Sequence, residues 1–165
     1  DGRVAAENAI LGVGQPYRHE IVPHGGFTDP EYASVGLTEP AALEQLGPQG
    51  YTAAKVAYDE LDRAVIDGHP EGFCKLIVAT GTHRLVGAHV IGEQALEVVE
   101  IIAAGMSSGM WVEQLAELEI AYPTYCGISG LAARRIVQSL GVVPLAPEWR
   151  GLGRLRLAEW ERNDG

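Results

Sequence analysis

The apolar pattern predicts an α+β fold, an antiparallel sheet of about four strands covered by helices on one side. Three observations carry this. Residues 32–37, 52–58, 73–78 and 85–91 alternate or run apolar as strands do. Thr80-Gly81-Thr82 supplies a tight turn between the last two stretches. Helical spacings then gather in the second half, over residues 93–108, 111–118 and from Ile128 to a stop at Gly141.

Composition bounds the reading. A chain of 165 residues can bury one good core, so it is one domain with short flanking pieces. Apolar residues make up 47% and charged residues 21%, which is too apolar for disorder. The formal charge of -10 argues against a nucleic-acid partner, because phosphate contacts need clustered Lys and Arg. Each apolar run is interrupted short of a membrane span. The first residues, Asp1-Gly2-Arg3, include no initiator Met and lack the shape of a signal peptide. The chain reads as a piece cut from something longer. Cys74 and Cys126 are far apart, with no CxxC and no zinc spacing. They read as two buried thiols of a cytoplasmic protein. Cys126 has a sharper alternative as a reactive thiol, since a helix N-terminus would lower its pKa.

Taken in order, Val4, Ala5, Asn8, Ala9 and Leu11 have helical spacing, with Gly12 and Gly14 as stops. Gly14-Gln15-Pro16-Tyr17 reads as a linker. Asp29-Pro30 makes a turn, and Ala33, Val35 and Leu37 alternate with Tyr32, Ser34 and Gly36 in a short strand. Thr38 is a good N-cap, Pro40 falls in the first turn of a helix, and Gly47 stops it. Ala54, Val56 and Tyr58 mark one face of the next strand. Residues 59–70 are charged and irregular, a solvated connection in which Asp59, Glu60 and Asp62 form a solvated turn. In the hairpin that follows, Gly87 marks a close backbone approach or a bulge. Ala95, Val98, Val99, Ile102 and Met106 line one face of the long helix, and Leu96, Ile101 and Ala103 widen it beyond a stripe. Such a helix is buried on more than one side and is expected to meet a partner subunit. Pro144 and Pro147 end regular structure, and a tail with Trp149 and Trp160 is expected to fold back on the domain.

The last helix is opened by Ile120-Ala121-Tyr122-Pro123-Thr124-Tyr125-Cys126-Gly127. This stretch resembles the His-Pro-Thr-x-Ser-Glu signature of the flavoprotein disulfide reductases, the family of glutathione reductase, lipoamide dehydrogenase and mercuric reductase. Pro123 and Thr124 match. Tyr122 stands where that pattern has His, and Gly127 where it has Glu. The string from Phe27 to Glu39, the strand pair Gly72-Phe73-Cys74-Lys75-Leu76-Ile77 and Leu85-Val86-Gly87-Ala88-His89-Val90-Ile91-Gly92, and the opening helix resemble the same family. The resemblance implies an interface-domain fold. It makes residues 1–13 the end of a preceding FAD domain, 14–19 a linker, 20–141 a dimerisation domain and 142–165 a C-terminal tail. It also implies a homodimer. FAD and NAD(P)H would then be held by the full-length parent and not by this fragment, which contains no GxGxxG, Walker loop or HExxH.

The site residues follow from the substitution. In relatives with His and Glu, the resemblance implies that the pair reaches the other subunit's flavin and shuttles a proton to a thiolate. Imidazole suits this because its ordinary pKa is about 6.5. Tyr122, the candidate catalytic residue, is a phenol titrating near about 10 and makes a poor general base. It can also be read as an interface packing residue. Pro123 and Thr124 are the expected flavin-side contacts across the dimer, in the full-length protein only. The Tyr-Pro stretch with Gly127 and Ala132-Ala133-Arg134-Arg135 looks most similar to lipoamide-dehydrogenase-like flavoproteins that pass electrons to quinones or other acceptors. A conventional disulfide reductase ranks second. Mercury reduction ranks lower, because no Cys follows Gly127. A purely structural dimerisation module is the third class. His19 and His24 read as surface histidines with no further ligand nearby, so no metal site is expected. His89 reads as a packed, hydrogen-bonded residue.

Overall fold

The computed structural model describes residues 2–14, 16 and 21–141. The linker expected at 14–19 lies mostly outside the described residues, as does His19. The tail from 142 lies wholly outside them.

The fold is α+β, as its apolar periodicity demands. Helix α1 spans Gly2–Leu11, and none of its residues is buried. Strands β1 (His24–Gly26), β2 (Tyr32–Gly36), β3 (Tyr51–Ala57), β4 (Phe73–Ala79) and β5 (Leu85–Ile91) form one antiparallel sheet in the order β1-β2-β5-β4-β3. The sheet therefore has one strand more than expected. Strand β1 is only three residues long and includes two glycines, so it shows no alternation to read.

Alternation puts Ala33, Val35, Val56, Cys74, Leu76, Val78, Ala88 and Val90 into the core. Helices α4 (Ala95–Ser108), α5 (Val112–Glu117) and α6 (Gly127–Ser139) complete that core with Val98, Val99, Ile102, Leu115, Ile128 and Ile136. Helix α2 (Glu39–Leu46) is capped by Thr38, whose side chain accepts from the Ala41 amide, with Gly47 at its end. Its Glu39 pairs with Lys75, which alternates away from Cys74 and Leu76. So α2 lies on the opposite face, where Ile77 is also buried.

Gly87 is a close approach. A side-chain carbon there would run into the Leu37 carbonyl, while Leu37 donates to Val86 at 2.8 Å. The neighbouring register shift falls between Ile77 and Val78.

One expectation needs correction. Residues 59–70 are not an irregular solvated connection. A 3₁₀ turn (Tyr58–Glu60) leads into helix α3 (Asp62–Asp67), which ends on a left-handed Gly68. Tyr58, Leu61 and Ala64 are buried at helical spacing, and the charged residues between them hid that periodicity. Nor is the acidic cluster a free solvated turn, since Glu60 pairs with Arg135 of α6. Within the protomer α4 packs on the sheet and α6: Val98, Val99, Ile102 and Ala103 are buried, and Leu96, Ile101 and Met106 stay half-buried at the edge of the core. Its outward positions include Glu97, Glu100 and Ser107.

Candidate functional site

The loop between α5 and α6 carries the stretch from Ile120 to Cys126. Tyr122 is 79% exposed, so packing does not hold its ring. What ties it is a hydrogen bond from its hydroxyl to Asp62 Oδ2 at 2.7 Å, across 60 residues of sequence. Pro123 follows through a cis peptide bond. Thr124 turns its hydroxyl back to the Ala121 carbonyl at 2.7 Å. Tyr125 points the other way, is 3% exposed, and donates to Asp67 Oδ2 at 3.1 Å. Asp67 is also paired with Arg63 at 2.7 Å. The two ends of α3 thus hold the tyrosines that flank Pro123-Thr124. Neither aspartate was a candidate in the sequence. Their signal is the Tyr58, Leu61, Ala64 spacing, which makes 62–67 a helix with both carboxylates at its ends.

These ties set the local electrostatics. The Asp62 carboxylate, through the hydrogen bond and its charge, pushes the Tyr122 phenol above its ordinary pKa. Burial, then the bond to Asp67, pushes Tyr125 up to about 12. The Arg63 hydrogen bond holds Asp67 below the ordinary carboxylate value. Both phenols therefore stay protonated at neutral pH, which suits hydrogen-bond donation and not general-base work.

A groove of about 800 Å³ runs beside the loop. Its apolar lining includes Leu61, Leu118, Ile120 and Leu131, and its charged rim includes Asp62, Arg63, Glu117, Glu119 and Arg134. Arg134 also donates to the Ala116 carbonyl at 3.1 Å. Gly127, in the wall, adds no side chain; a carbon placed on it would meet Leu61 Cδ1 at 3.5 Å.

Cys126 does not have the lowered pKa expected of a helix N-terminus. Its side chain makes no capping bond, and burial, followed by the charge of Glu97, raises its pKa. Cys74 is fully buried and pushed up to about 12 by desolvation. His89 is held as a packed residue, with Nδ1 at 3.0 Å from Ser34 Oγ and Nε2 at 3.0 Å from the Leu37 carbonyl. His24 lies exposed in β1.

The described residues do not fit a whole dinucleotide cofactor. The loop's own hydroxyls are engaged within the chain, and no glycine-rich phosphate cradle opens a helix here. No described helix is long and apolar enough to cross a membrane.

The profile described as "Pyridine nucleotide-disulphide oxidoreductase, dimerisation domain" matches residues 22–130. A mercuric reductase of Bacillus cereus is 35% identical over 75% of this chain and 19% of its own length. A soluble pyridine nucleotide transhydrogenase of Mycobacterium tuberculosis is 36% identical over 75% of this chain and 26% of its own length. Among solved structures, LpdA from Mycobacterium tuberculosis superposes with a TM-score of 0.72 at 29% identity, covering 82% of this chain and 29% of that one. The chain spans less than a third of the length of these relatives.

Proposed function

From the premise that this chain belongs to the dimerisation-domain family of the pyridine nucleotide-disulphide oxidoreductases, we propose that it is the interface domain of an oxidoreductase that uses FAD and NAD(P)H, and that it is catalytically incomplete alone. The parent passes electrons from reduced flavin to a quinone-like or other direct acceptor. The bound flavin would supply the electron transfer. This chain's residues orient the loop and line the groove beside it.

One observation carries the choice of acceptor. The position that opens α6, Gly127, has no side chain, and the exposed Tyr122 has its hydroxyl proton engaged by Asp62. The loop therefore holds no acid-base pair with which to serve a thiolate. A direct acceptor needs none. The transhydrogenase among the relatives is named for an exchange between pyridine nucleotides, which supports the same reading. A conventional disulfide reductase such as lipoamide dehydrogenase is the second reading. It draws on the dihydrolipoyl dehydrogenase of Haloarcula marismortui, 33% identical over 75% of this chain.

The chain acts as a homodimer. Apolar surface for that partner is offered by the half-buried Leu96, Ile101 and Met106 of α4 and by the loop, where Tyr122 is 79% and Leu118 41% exposed. Pro123 and Thr124 make the flavin-side contacts across that dimer.

The test is steady-state turnover of the full-length parent with NADH or NADPH, against a naphthoquinone and against a small cyclic disulfide, in the wild type and in Tyr122→Phe. Quinone turnover that falls roughly tenfold or less in the variant fits the loss of one ordinary hydrogen bond. Strong disulfide turnover that collapses by about 10²–10⁴-fold would make Tyr122 a proton shuttle and overturn this reading.

A further inference from the structure

We propose that Asp62 is the positioning residue for Tyr122: from the start of α3 it supplies the carboxylate that α6 lacks at Gly127, and it fixes the phenol at the mouth of the groove. The inference rests on the acceptor-reductase reading for its catalytic consequence, but not for its geometry.

The geometry has three parts. First, an exposed tyrosine on a loop keeps one orientation only if something polar holds it. The 2.7 Å bond to Asp62 is short enough for a phenol donating to an ionised carboxylate. Second, the backbone that carries the carboxylate is anchored. Leu61 and Ala64 bury the flanks of the segment, and Arg63 is turned away to Asp67. Asp62 therefore presents its side chain from a fixed element, as a precise site requires. Third, Leu61 is the residue that a side chain at Gly127 would grow against, at 3.5 Å. The segment 61–62 borders the space that the glycine leaves open, and it brings a carboxylate to the same loop from another direction.

The chemical consequence concerns which atoms Tyr122 can offer. Its single hydroxyl proton is engaged by Asp62. A molecule in the groove meets the ring face and the oxygen lone pairs. Those suit a flat aromatic acceptor that stacks on the ring, or one that gains an O–H group on reduction and donates it back to the phenol oxygen. A thiolate needs a donor and finds none on Tyr122. Asp62 therefore bears on acceptor choice as well as on orientation. The other charged groups that line this groove are Glu60, Arg63, Glu117, Glu119 and Arg134.

The experiment has two arms. In this chain, tyrosine carrying ¹³C at Cζ is titrated by NMR, with the Tyr122 signal assigned by its loss in Tyr122→Phe. Tyr122 should titrate above the ordinary phenol value in the wild type, drop toward about 10 in Asp62→Ala, and recover in Asp62→Glu. In the full-length parent, Asp62→Ala should lower naphthoquinone turnover by the same factor as Tyr122→Phe, roughly tenfold or less, and Asp62→Glu should restore it. The double variant should be no slower than either single one, since both remove one interaction. Three results would overturn the proposal: a Tyr122 titration unmoved by Asp62→Ala, additive losses in the double variant, or a moved titration with turnover unchanged for every acceptor. A parent that turns over only the cyclic disulfide sinks the acceptor reading alone. The titration and the double variant, run with that disulfide, still decide the role of Asp62. If Asp62→Ala fails to fold, Asp62→Ser, which keeps a polar residue at the start of α3 but removes the carboxylate, takes its place in both arms.

Discussion

Tyr58 reaches from the end of β3 to the start of α4, where its hydroxyl donates to the Glu93 carbonyl at 3.0 Å. The ring is fully buried, and its centroid lies 6.0 Å from that of Tyr125. This contact fastens the 3₁₀ turn, and α3 behind it, to the helical layer. Tyr58→Phe keeps the ring and leaves a carbonyl without its partner. The expected cost is about 1–3 kcal/mol, the range for an acceptor left unsatisfied on burial. Urea unfolding should show a lower midpoint with an unchanged slope. A midpoint equal to that of the wild type would mean that water takes over the carbonyl and that the contact does not hold the turn.

The backbone of this fold was legible because its elements obey simple periods. The strands at 73–79 and 85–91 alternate, α2 carries both its cap and its stop, and α4 is apolar along its length. The site was legible only in part. Tyr122, Pro123 and Thr124 could be singled out from their string. Asp62 and Asp67 could not, because a carboxylate in a charged run looks solvated until the helix that carries it is recognised. The pairing of Tyr122 with Asp62 spans 60 residues, and no local pattern encodes such a contact. Cys126 failed for a related reason. Its place at a helix start was readable, but the burial and the Glu97 charge that outweigh the helix end come from tertiary packing.

The thiols should therefore be slow. Cys126 is half-buried with a raised pKa, and Cys74 is fully buried. Thiolate is the reactive form, so alkylation by iodoacetamide at pH 7 should run below the rate of a free cysteine peptide at Cys126, and should reach Cys74 only on unfolding. Glu97→Gln removes the nearby negative charge and should speed modification of Cys126. Peptide mass mapping separates the two sites. Modification of Cys126 faster than the free peptide would show that the helix end wins after all.

Gly87 tests the sheet. A methyl or larger group there meets the Leu37 backbone, which is held by its own bond to Val86 and cannot swing aside as a side chain would. Gly87→Val should destabilise the protein by about 1–3 kcal/mol or more, the cost of overpacking a closed site. The effect should appear as a lower urea midpoint, with hydrogen exchange loosened first between β2 and β5. Wild-type stability in this variant would show that the β5 backbone can move away from residue 37.

The last prediction concerns acid. The Ala57 amide, accepted by Glu60 at 3.1 Å, and then Arg135 hold the Glu60 carboxyl below its ordinary pKa. Arg63 and Tyr125 do the same for Asp67. A carboxyl whose folded pKa lies below its unfolded value binds fewer protons when folded. Its stabilisation is complete above the unfolded value, about 4.3 for Glu and 3.9 for Asp, and is lost as pH falls through the folded value. Stability should thus be flat with respect to these groups near neutrality and decline below about pH 4.5. Glu60 is exposed, so its share is screened and small, yet Glu60→Gln should flatten the acid limb measurably. Because Glu60 also caps the turn before α3, the variant should lose some stability at pH 7 while losing less on acidification. Urea midpoints of wild type and Glu60→Gln from pH 7 to pH 3 check this. Parallel curves over that range would show that Glu60 gains nothing from Ala57 or Arg135 in the folded state.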